Sequence, residues 1–385
     1  MPWRSARRLP LSTQLIGVDG GATQVKVHDV AVVLRGGAPA LRLSENSASA
    51  RYPRVPGFTP PAEAGPEGLE PPGPPTPAER EQGWAWIEST AQCVLEVARR
   101  RGARQVLLGI AMPGRKTPDG RGIEFALNGP RIPRFVERLE ERLRLDGLEF
   151  AAPIARLESD GWCCGLGEEA AEEGLFRGVD DAYYLGGGTG LAESLKLRGG
   201  LVRLESIEGW FPRAWKLRDA SGKSYDRSLS AAGLNSEWAD RVGFEVPLAR
   251  GRLPEERVRT DERAQELFKL TGERLAALIA ERAFALWMRT SDSAPLPGPH
   301  VLQRVVVGQR LGQLLQDART LPYFRAALER ELAAHFERLG FAHTYPSDAP
   351  GELTRERWLR CSSLRGAPAL GAAASALAAW SPVDA

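Results

Sequence analysis

The amino-acid sequence contains one local pattern twice, and this repeat limits what the chain can fold into. In residues 13–34, an apolar run leads into the turn DGGAT and then into the alternating run VKVH. In residues 182–204, the run YYL leads into the turn GGGTG and then into a return strand. Two extended runs joined by a short glycine turn are typical of a β-hairpin. The repeat therefore predicts two related lobes, each built around such a hairpin.

Helical and extended segments alternate between the two hairpins. Residues 76–79 read TPAE, with a capping threonine, a proline at the first helical position and a glutamate three residues after the cap. We expect this helix to run to about Arg101. A strand at 105–110, a helix at about 132–144 and a strand near 150–157 follow. Strands that alternate with helices predict an α/β fold with parallel pairs, whose ligand sites lie at the carboxyl ends of the strands.

With 385 residues, the chain is about twice the usual length of one domain. We expect a tail at residues 1–12, an N-terminal lobe at 13–158 and a C-terminal lobe at 159–385. Residues from about 51 to 78 are rich in Pro, Gly and Glu, which cannot form a regular hydrogen-bonded ladder, so we expect a passive surface insertion there. After the second hairpin, we expect a strand at 303–307 and helices at about 255–288, 310–335 and 368–380.

Charged residues nearly balance. The formal net charge is +2, from 51 basic and 49 acidic residues, so no net field favours nucleic acid or an anionic membrane. The first residues, MPWRSARRLP, are basic, but no apolar run of about 18 residues occurs in the chain. We expect a cytoplasmic protein that binds neither nucleic acid nor membrane.

The cysteines give little support to a metal cluster. The four cysteines form no CxxC or CxC pair, and none of the four histidines lies near them in sequence. The adjacent Cys163 and Cys164 are expected to be small, buried residues of a helix.

The two glycine turns suggest phosphate binding. A turn without Cβ atoms can bring several backbone N–H groups onto one anion, and two such turns can hold one polyphosphate. Asp19 ends the first apolar strand, where a carboxylate is costly unless it meets water or a cation. Mg²⁺ on the phosphates of ATP, held by Asp19 through water, would be such a cation. Alternatively, Asp19 only caps its own turn, as Asp often does before Gly.

Asp160 follows a predicted strand and precedes a predicted helix. This position suits a carboxylate that faces a ligand at the carboxyl end of a sheet. Phosphoryl transfer needs positioned phosphates, a metal ion and one acceptor for the proton of the attacking hydroxyl group. We therefore interpret Asp160 as the general base of a kinase. The alternative is that Asp160 is only the N-cap of the helix that follows.

The order of these motifs resembles the ROK family (repressors, open reading frames and sugar kinases) of the actin, Hsp70 and hexokinase superfamily. IGVDGGATQ at 16–24 and GGGTGLAESLKLRGGLV at 186–202 resemble its two phosphate motifs. ESDGWCCGLGE at 158–168 resembles the segment that holds the catalytic Asp. Residues 109–130 are similar to the family's Pro-Gly stretch, which ends in a sugar-contacting Asn. Residues 305–309 are similar to its adenosine-site turn, and residues 362–377 to its last helix.

This resemblance implies two RNase H-like lobes of the actin-like ATPase fold, with a cleft between them. It also implies an ATP- and Mg²⁺-dependent kinase that phosphorylates a hydroxyl group of a sugar or polyol, with Asp160 as the base, and a homodimer. The residues that would bind nucleotide are Asp19 (through Mg²⁺), Gly20, Gly21, Thr23, Gly187, Gly188, Thr189, Gly190 and Gly308. Those that would contact the substrate are Gly114, Asn128 and either Glu205 or Glu208.

Several residues depart from the family pattern. Gln24 stands where the family usually has Lys, Ala22 where it has Gly, and Glu193 lies in the normally glycine-rich second turn. The family's zinc-binding stretch, a His followed by three Cys, should fall within about 205–230, which contains neither residue type. Trp210 occupies the position of that His. We therefore expect no zinc site and leave the identity of the substrate open.

Two other functions remain as alternatives. The resembling family includes repressors, so the chain could be a sugar sensor without activity. Those repressors carry an N-terminal helix-turn-helix, whereas only about 12 residues precede the first strand here. The superfamily also includes ATPases that activate radical reductases and hold an iron–sulfur cluster at a dimer interface. The four cysteines of this chain do not suggest such a cluster.

Overall fold

We describe a computed structural model of the chain, which covers residues 9–10, 12–61, 73–244, 251–289, 299–340 and 358–380. The chain divides into two compact units. The first unit is formed by Met1–Gly174 together with Gly366–Ala385, and the second by Leu175–Arg365. The boundary expected at residue 158 therefore falls inside the first unit. The reason is that the helix beginning at Asp160 and the last helix of the chain pack with the first sheet.

The first unit contains a six-stranded mixed sheet. Its strands are β1 (Thr13–Gly20), β2 (Gln24–Arg35), β3 (Ala38–Arg51), β4 (Gln105–Met112), β7 (Glu149–Phe150) and β8 (Leu157–Ser159), and a separate hairpin pairs β5 (Arg115–Lys116) with β6 (Ile123–Phe125). The order is β3-β2-β1-β4-β7, and β8 pairs with the end of β4. β1 is antiparallel to β2 and parallel to β4. The single strand expected near 150–157 is thus two short strands.

Helices cover both faces of this sheet. They are α1 (Pro77–Arg101), α2 (Phe135–Leu145), α3 (Asp160–Ala170) and α10 (Ala367–Ala379). The apolar sides of α1 and α2 form one core with β1, β2 and β4. On the other face, α10 lies on Gly17 and Gly109, which pair in register across β1 and β4. A Cβ atom at Gly17 would lie 2.1 Å from the Ala369 carbonyl oxygen, so these glycines allow the helix to approach the sheet closely.

The helix α3 packs on α10 through small residues. A Cβ atom at Gly371 would lie 2.0 Å from the Cys163 carbonyl oxygen, and one at Gly167 would lie 2.1 Å from the Ala367 carbonyl oxygen. Cys163 and Cys164 are buried in α3, which confirms the interpretation of this pair. This close packing explains why the two helices belong to the first unit.

The start of the Pro-rich stretch packs on α1, whose bounds and Thr76 cap are as predicted. The Tyr52 ring stacks on Trp86 with 4.4 Å between ring centroids. The Val55 N–H donates a hydrogen bond to the Gln82 side chain at 2.9 Å, and Val55 itself is buried. The expectation of a passive loop is therefore wrong for residues 52–55. Residues 62–72 lie outside the described part of the chain.

The second unit repeats the topology of the first. Its five strands are β9 (Ala182–Gly187), β10 (Leu191–Leu197), β11 (Gly200–Val202), β12 (Arg304–Gly308) and β13 (Leu359–Cys361), in the order β11-β10-β9-β12-β13. Here β9 takes the place of β1, since it is antiparallel to β10 and parallel to β12. The prediction of two related α/β lobes, each with an RNase H-like order of strands, is confirmed.

The helices of the second unit lie at the expected positions, but the single helices expected at about 255–288 and at 310–335 are each divided into two. They are α4 (Tyr225–Leu229), α5 (Ala231–Val242), α6 (Pro254–Arg257), α7 (Glu262–Trp287), α8 (Gln309–Gln316) and α9 (Phe324–Arg338). The single helix expected at 310–335 is two helices. The Asp317 side chain accepts a hydrogen bond from the Arg319 N–H at 2.9 Å, and Pro322 has no N–H with which to continue a helix.

None of the helices in the described residues combines the length and apolar character needed to cross a membrane.

Candidate nucleotide and substrate site

Two aspartates lie at the carboxyl ends of the strands that flank β4. Asp19 of β1 is level with Ala111 of β4, and Ala111 is level with Glu158 of β8. Asp160 comes two residues after Glu158 and is the first residue of α3. Because β1, β4 and β8 run parallel, this register brings Asp19 and Asp160 to the same edge of the first sheet.

The surroundings of Asp19 disfavour its charged form. Burial raises the pKa of this carboxyl group to about 6; the Lys26 ammonium opposes the rise, and the Asp160 carboxylate adds to it. A buried carboxylate with little compensation is a suitable place for a cation. Mg²⁺ prefers carboxylate and water oxygens, so Asp19 fits the ligand expected for the metal of Mg-ATP.

Helix capping does not account for Asp160. The N-cap of α3 is Ser159, whose hydroxyl accepts a hydrogen bond from the Trp162 N–H at 3.2 Å. The Asp160 carboxylate accepts one from the N–H of Gly161 at 2.9 Å. The alternative interpretation of Asp160 as the cap is therefore wrong, and an aspartate at this edge needs another explanation.

The first glycine turn joins β1 to β2. The Gly21 N–H donates to the Gln24 carbonyl at 2.9 Å, and the side chain of Thr23 is exposed. A Cβ atom at Gly20 would lie 2.2 Å from the sulfur of Met112. A larger residue at this point would require the Met112 side chain of β4 to move.

The turn that follows β4 contains Gly114, for which the resemblance implies a substrate contact. Its φ of 86° favours glycine, and a Cβ atom there would lie 2.3 Å from the Phe125 carbonyl oxygen. The Lys116 ammonium closes this turn by donating to the carbonyls of Met112 and Gly114 at 2.8 and 2.7 Å. The turn is therefore held in one conformation at the same edge of the sheet.

Asn128, the other candidate for a substrate contact in the first unit, lies half-buried in the loop after β6. The next residue, Gly129, contacts α1: a Cβ atom there would lie 2.5 Å from the Trp86 ring. The position of Asn128 is thus fixed by packing of its neighbour on a buried aromatic side chain.

The second glycine turn is held by two helices of the second unit. The Gly188 carbonyl accepts a hydrogen bond from the Ala231 N–H at 2.9 Å, at the start of α5. The Asp226 side chain of α4 accepts one from the Leu191 N–H at 2.6 Å, where the turn enters β10. The side chain of Thr189 is exposed at the tip.

Gly308, the residue expected near adenosine, ends β12 directly beside this second turn. A Cβ atom at Gly308 would lie 2.1 Å from the Tyr184 hydroxyl, and one at Gly188 would lie 3.0 Å from the Gln309 side-chain oxygen. Gln309 has a φ of 54°, which is uncommon for a residue other than glycine. The structure thus brings Gly187, Gly188, Gly190 and Gly308 together at the carboxyl ends of β9 and β12.

Glu193 lies in β10 and not in the glycine turn, which corrects the expectation from the sequence. It is buried, and its carboxylate accepts hydrogen bonds from the Tyr183 hydroxyl at 2.6 Å and the Arg282 guanidinium at 2.8 Å. The Ala214 N–H donates to its second oxygen at 2.5 Å. No sequence pattern signalled this network, because Glu193 and Arg282 lie far apart in the chain.

Glu205 and Glu208 each have a basic partner. Arg213 forms an ion pair with Glu205. Burial raises the pKa of Glu205, but the charge of Arg213 and the hydrogen bonds to the carboxylate together outweigh this effect, so that the pKa is lowered. The Lys216 ammonium lies 2.9 Å from the Glu208 carboxylate. Both glutamates remain candidates for the substrate contact, since neither is distinguished by its partner.

Two arginines of α7 and a third just after this helix contact the segment in which the family's zinc stretch was expected. The Arg289 guanidinium lies 4.1 Å from the centroid of the Trp210 ring, and that of Arg282 lies 4.3 Å from the Phe211 ring. Arg274 forms an ion pair with Asp219 at 2.9 Å. Within the described residues, no group of three or more His, Cys, Asp or Glu side chains could hold a metal ion.

No family model and no curated protein matches this sequence. A solved structure of a ROK family glucokinase from Streptomyces griseus, in complex with glucose and AMPPNP, matches with a TM-score of 0.58 at 18% identity and covers 94% of this chain and 98% of that chain. The chain has the fold of the ROK sugar kinases.

Two further structures show the range of proteins that share the ROK fold. A glucokinase from Parabacteroides distasonis has a TM-score of 0.54 at 15% identity, with 98% of this chain and 99% of that chain covered. A ROK family transcriptional regulator, a homologue of the E. coli MLC protein, has a TM-score of 0.52 at 11% identity, with 96% and 79% covered. Both kinases and a regulator therefore have this fold, so only the residues of the site can distinguish the two functions.

Proposed function

We propose that this chain is a ROK-type kinase that transfers the γ-phosphoryl group of ATP to a hydroxyl group of a sugar or similar polyol. The observation that carries the proposal is the pair of carboxylates, Asp19 and Asp160, at one edge of the first sheet. Phosphoryl transfer requires a metal-linked carboxylate and a proton acceptor, and this edge offers one residue for each task.

Asp160 is the proposed general base. The substrate oxygen forms a bond to the γ-phosphorus while the bond from that phosphorus to the bridging oxygen breaks, and ADP leaves. The proton of the attacking hydroxyl group passes to the Asp160 carboxylate. Asn128 and Gly114 orient the acceptor, together with Glu205 or Glu208.

The remaining candidates bind the nucleotide. In the first unit, the N–H groups of the turn at Gly20, Gly21 and Thr23 donate to phosphate oxygens. In the second unit, Gly187, Gly188, Thr189 and Gly190 do the same, and Gly308 borders adenosine. Asp19 would hold Mg²⁺ through water, and the bound ion would supply positive charge to neutralise the phosphates.

The test combines a substrate screen with Asp160→Asn. Hexoses, amino sugars, N-acetyl sugars and polyols are screened for ADP release with ATP and Mg²⁺, and the best substrate is used for the variant. Asn keeps the shape but cannot accept the proton, so turnover should fall at least about a hundredfold. The Ser159 cap is untouched, so the melting temperature and ATP affinity should stay close to those of the parent.

Near-normal turnover of a folded Asp160→Asn protein would reject the assigned role. A matched control is Asp240→Asn, because Asp240 is an exposed residue of α5 in the second unit. This control should leave turnover, ATP affinity and melting temperature unchanged.

A sugar-binding regulator is the second candidate, because the ROK transcriptional regulator shares the fold. It predicts sugar binding without ADP release from any compound in the screen. Calorimetry with the same sugars in the presence and absence of Mg-ATP separates the two functions.

A further inference from the structure

Lys26 stands at the base of the first glycine turn, on the strand beside Asp19. In the antiparallel pair of β1 and β2, Asp19 lies opposite Lys26, and Gly20 lies opposite Val25 at the start of the turn. Residues directly opposite each other in such a pair project from the same face of the sheet. Lys26 therefore shares a face with Asp19, one pair away from the turn that is proposed to bind phosphate.

Lys26 is a half-buried residue, and the charge of its ammonium group acts on two neighbours. It opposes the rise in the pKa of Asp19, and it contributes, after burial, to the lowered pKa of His28. Its ammonium has neither an ion pair within 4.0 Å nor a hydrogen bond among the residues that the structure describes. Its three N–H groups are therefore available to an anion that binds beside the turn.

The other lysines of the chain differ from Lys26 in this respect. The sequence has six lysines, all of them among the described residues. Lys116 and Lys196 donate to backbone carbonyls, and Lys216, Lys223 and Lys269 form ion pairs with glutamates. Of the six lysines, only Lys26 has neither a hydrogen bond nor an ion pair to a described residue.

We propose that Lys26 binds the phosphate groups of the nucleotide, as a fixed positive charge that supplements the N–H groups of the Gly20–Thr23 turn. This role rests on the proposed kinase function and adds a residue to it. A lysine ammonium binds phosphate as a point charge with three donors, which suits an anion whose charge is spread over several oxygens. Gln24 stands where the resembling family has Lys, so the turn itself has no cation. Lys26 lies two residues after Gln24 in β2, on the same face of the strand, and supplies a positive charge there.

The test measures binding of adenosine, ADP and Mg-ATP by calorimetry to the parent and to Lys26→Met, Lys26→Gln and Lys26→Arg. The two neutral variants should lose at least about tenfold in affinity for Mg-ATP, the factor expected for one charge-assisted hydrogen bond, and change little towards adenosine. Lys26→Arg should recover most of the loss. In kinetics, the KM for ATP should rise while the KM for the sugar stays close to that of the parent.

The control variant is Lys269→Met, since Lys269 is an exposed residue of α7 paired with Glu266. Measurements at about pH 8 keep Asp19 charged, because that is well above its pKa of about 6. A purely structural role would lower the affinity for adenosine and Mg-ATP equally.

The outcomes separate the two proposals. A parent that binds Mg-ATP and neutral variants that bind it equally well would overturn the role of Lys26 and leave the kinase proposal standing. Equal losses for adenosine and Mg-ATP would also overturn it. A parent that binds no nucleotide at all would overturn the kinase proposal and the role of Lys26 with it.

Discussion

Asp19 links the chemistry of the site to the stability of the fold. Burial raises the pKa of its carboxyl group to about 6, from an ordinary value of 3.8. The folded protein therefore holds this proton more tightly than the unfolded chain does. Between these two values, the unfolded state releases its proton first, and the free energy of unfolding falls as the pH rises. Above about pH 6, the charged carboxylate is a constant cost to the folded state.

Asp19→Asn should remove this cost. In the absence of Mg²⁺ at about pH 8, we expect the variant to be more stable than the parent by roughly 1–3 kcal/mol, since each pKa unit corresponds to about 1.4 kcal/mol. At about pH 4 the difference should be much smaller, because the carboxyl group is then neutral in the folded state and only about half ionised in the unfolded state. Denaturant unfolding at the two pH values measures it. An equal difference in stability between variant and parent at both pH values would contradict the raised pKa of Asp19. The control Asp240→Asn should be as stable as the parent at each pH.

The sequence placed Asp19 and Asp160 correctly relative to their strands but could not assign their local partners. From the sequence we consider only Asp160 as a possible N-cap of the helix that follows, whereas the structure has Ser159 in that position. Likewise, the alternation of β2 indicated that Lys26 and Asp19 belong to neighbouring strands. Only the register showed that they lie opposite each other.

At the scale of elements, α7 fixes the segment in which the family's zinc site was expected. Its Arg282 is buried between Glu193 and the Phe211 ring, and Arg274 is buried between Asp219 and Glu237. Burial lowers the pKa of Arg282, but Glu193 and Tyr183 together outweigh this effect, so that the pKa is raised. These contacts join α7 to β10 and to the residues after β11 without a metal ion.

Arg282→Met should destabilise the protein by about 3–5 kcal/mol, because it leaves the buried Glu193 carboxylate without its counter-charge. The matched control on the same helix is Arg263→Met, which removes an exposed ion pair with Asp261 and should cost at most about 1 kcal/mol. A metal chelator should leave the melting temperature of the parent unchanged, and elemental analysis of untagged protein should find no stoichiometric zinc. About one zinc per chain, or a clear loss of stability with chelator, would contradict this account.

The Pro-rich stretch offers a second test at this scale. A deletion of residues 55–75 removes the buried Val55, its hydrogen bond to Gln82 and the carbonyl of Gly73 that binds Arg131. We expect it to cost about 1.5–3 kcal/mol, the value of burying one such apolar side chain. A shorter deletion of residues 62–72 leaves these contacts in place and should keep the parent's melting temperature. Equal melting temperatures for both deletions would show that the contacts with α1 contribute little.

At the scale of the whole molecule, the two units repeat one order of strands. In each unit, a hairpin lies beside a parallel strand, and a glycine turn lies at the edge where the parallel strands end. The first unit contains Asp19 and Asp160, whereas the second contains Gly308 and the buried network around Glu193. The proposed general base thus lies in the first unit, whereas residues proposed to bind the nucleotide lie in both units.

The sequence by itself determined the α/β class, the two hairpins, the first helix and the strand ends that carry Asp19 and Asp160. These features are local, because they depend on the alternation of apolar residues, on glycine turns and on capping residues within a few positions of one another. The sequence therefore also predicted which edge of the first sheet would carry the aspartates.

Only the tertiary structure decided which distant segments share a unit and which charges meet. The last helix belongs to the first unit because Gly17 and Gly109, far apart in the chain, form a surface that it can approach. Glu193 meets Arg282 across 89 positions, and Tyr52 meets Trp86 across the Pro-rich stretch. Burial and the pKa of Asp19 follow from such contacts. They depend on packing between elements, and no local pattern in the sequence encodes that packing.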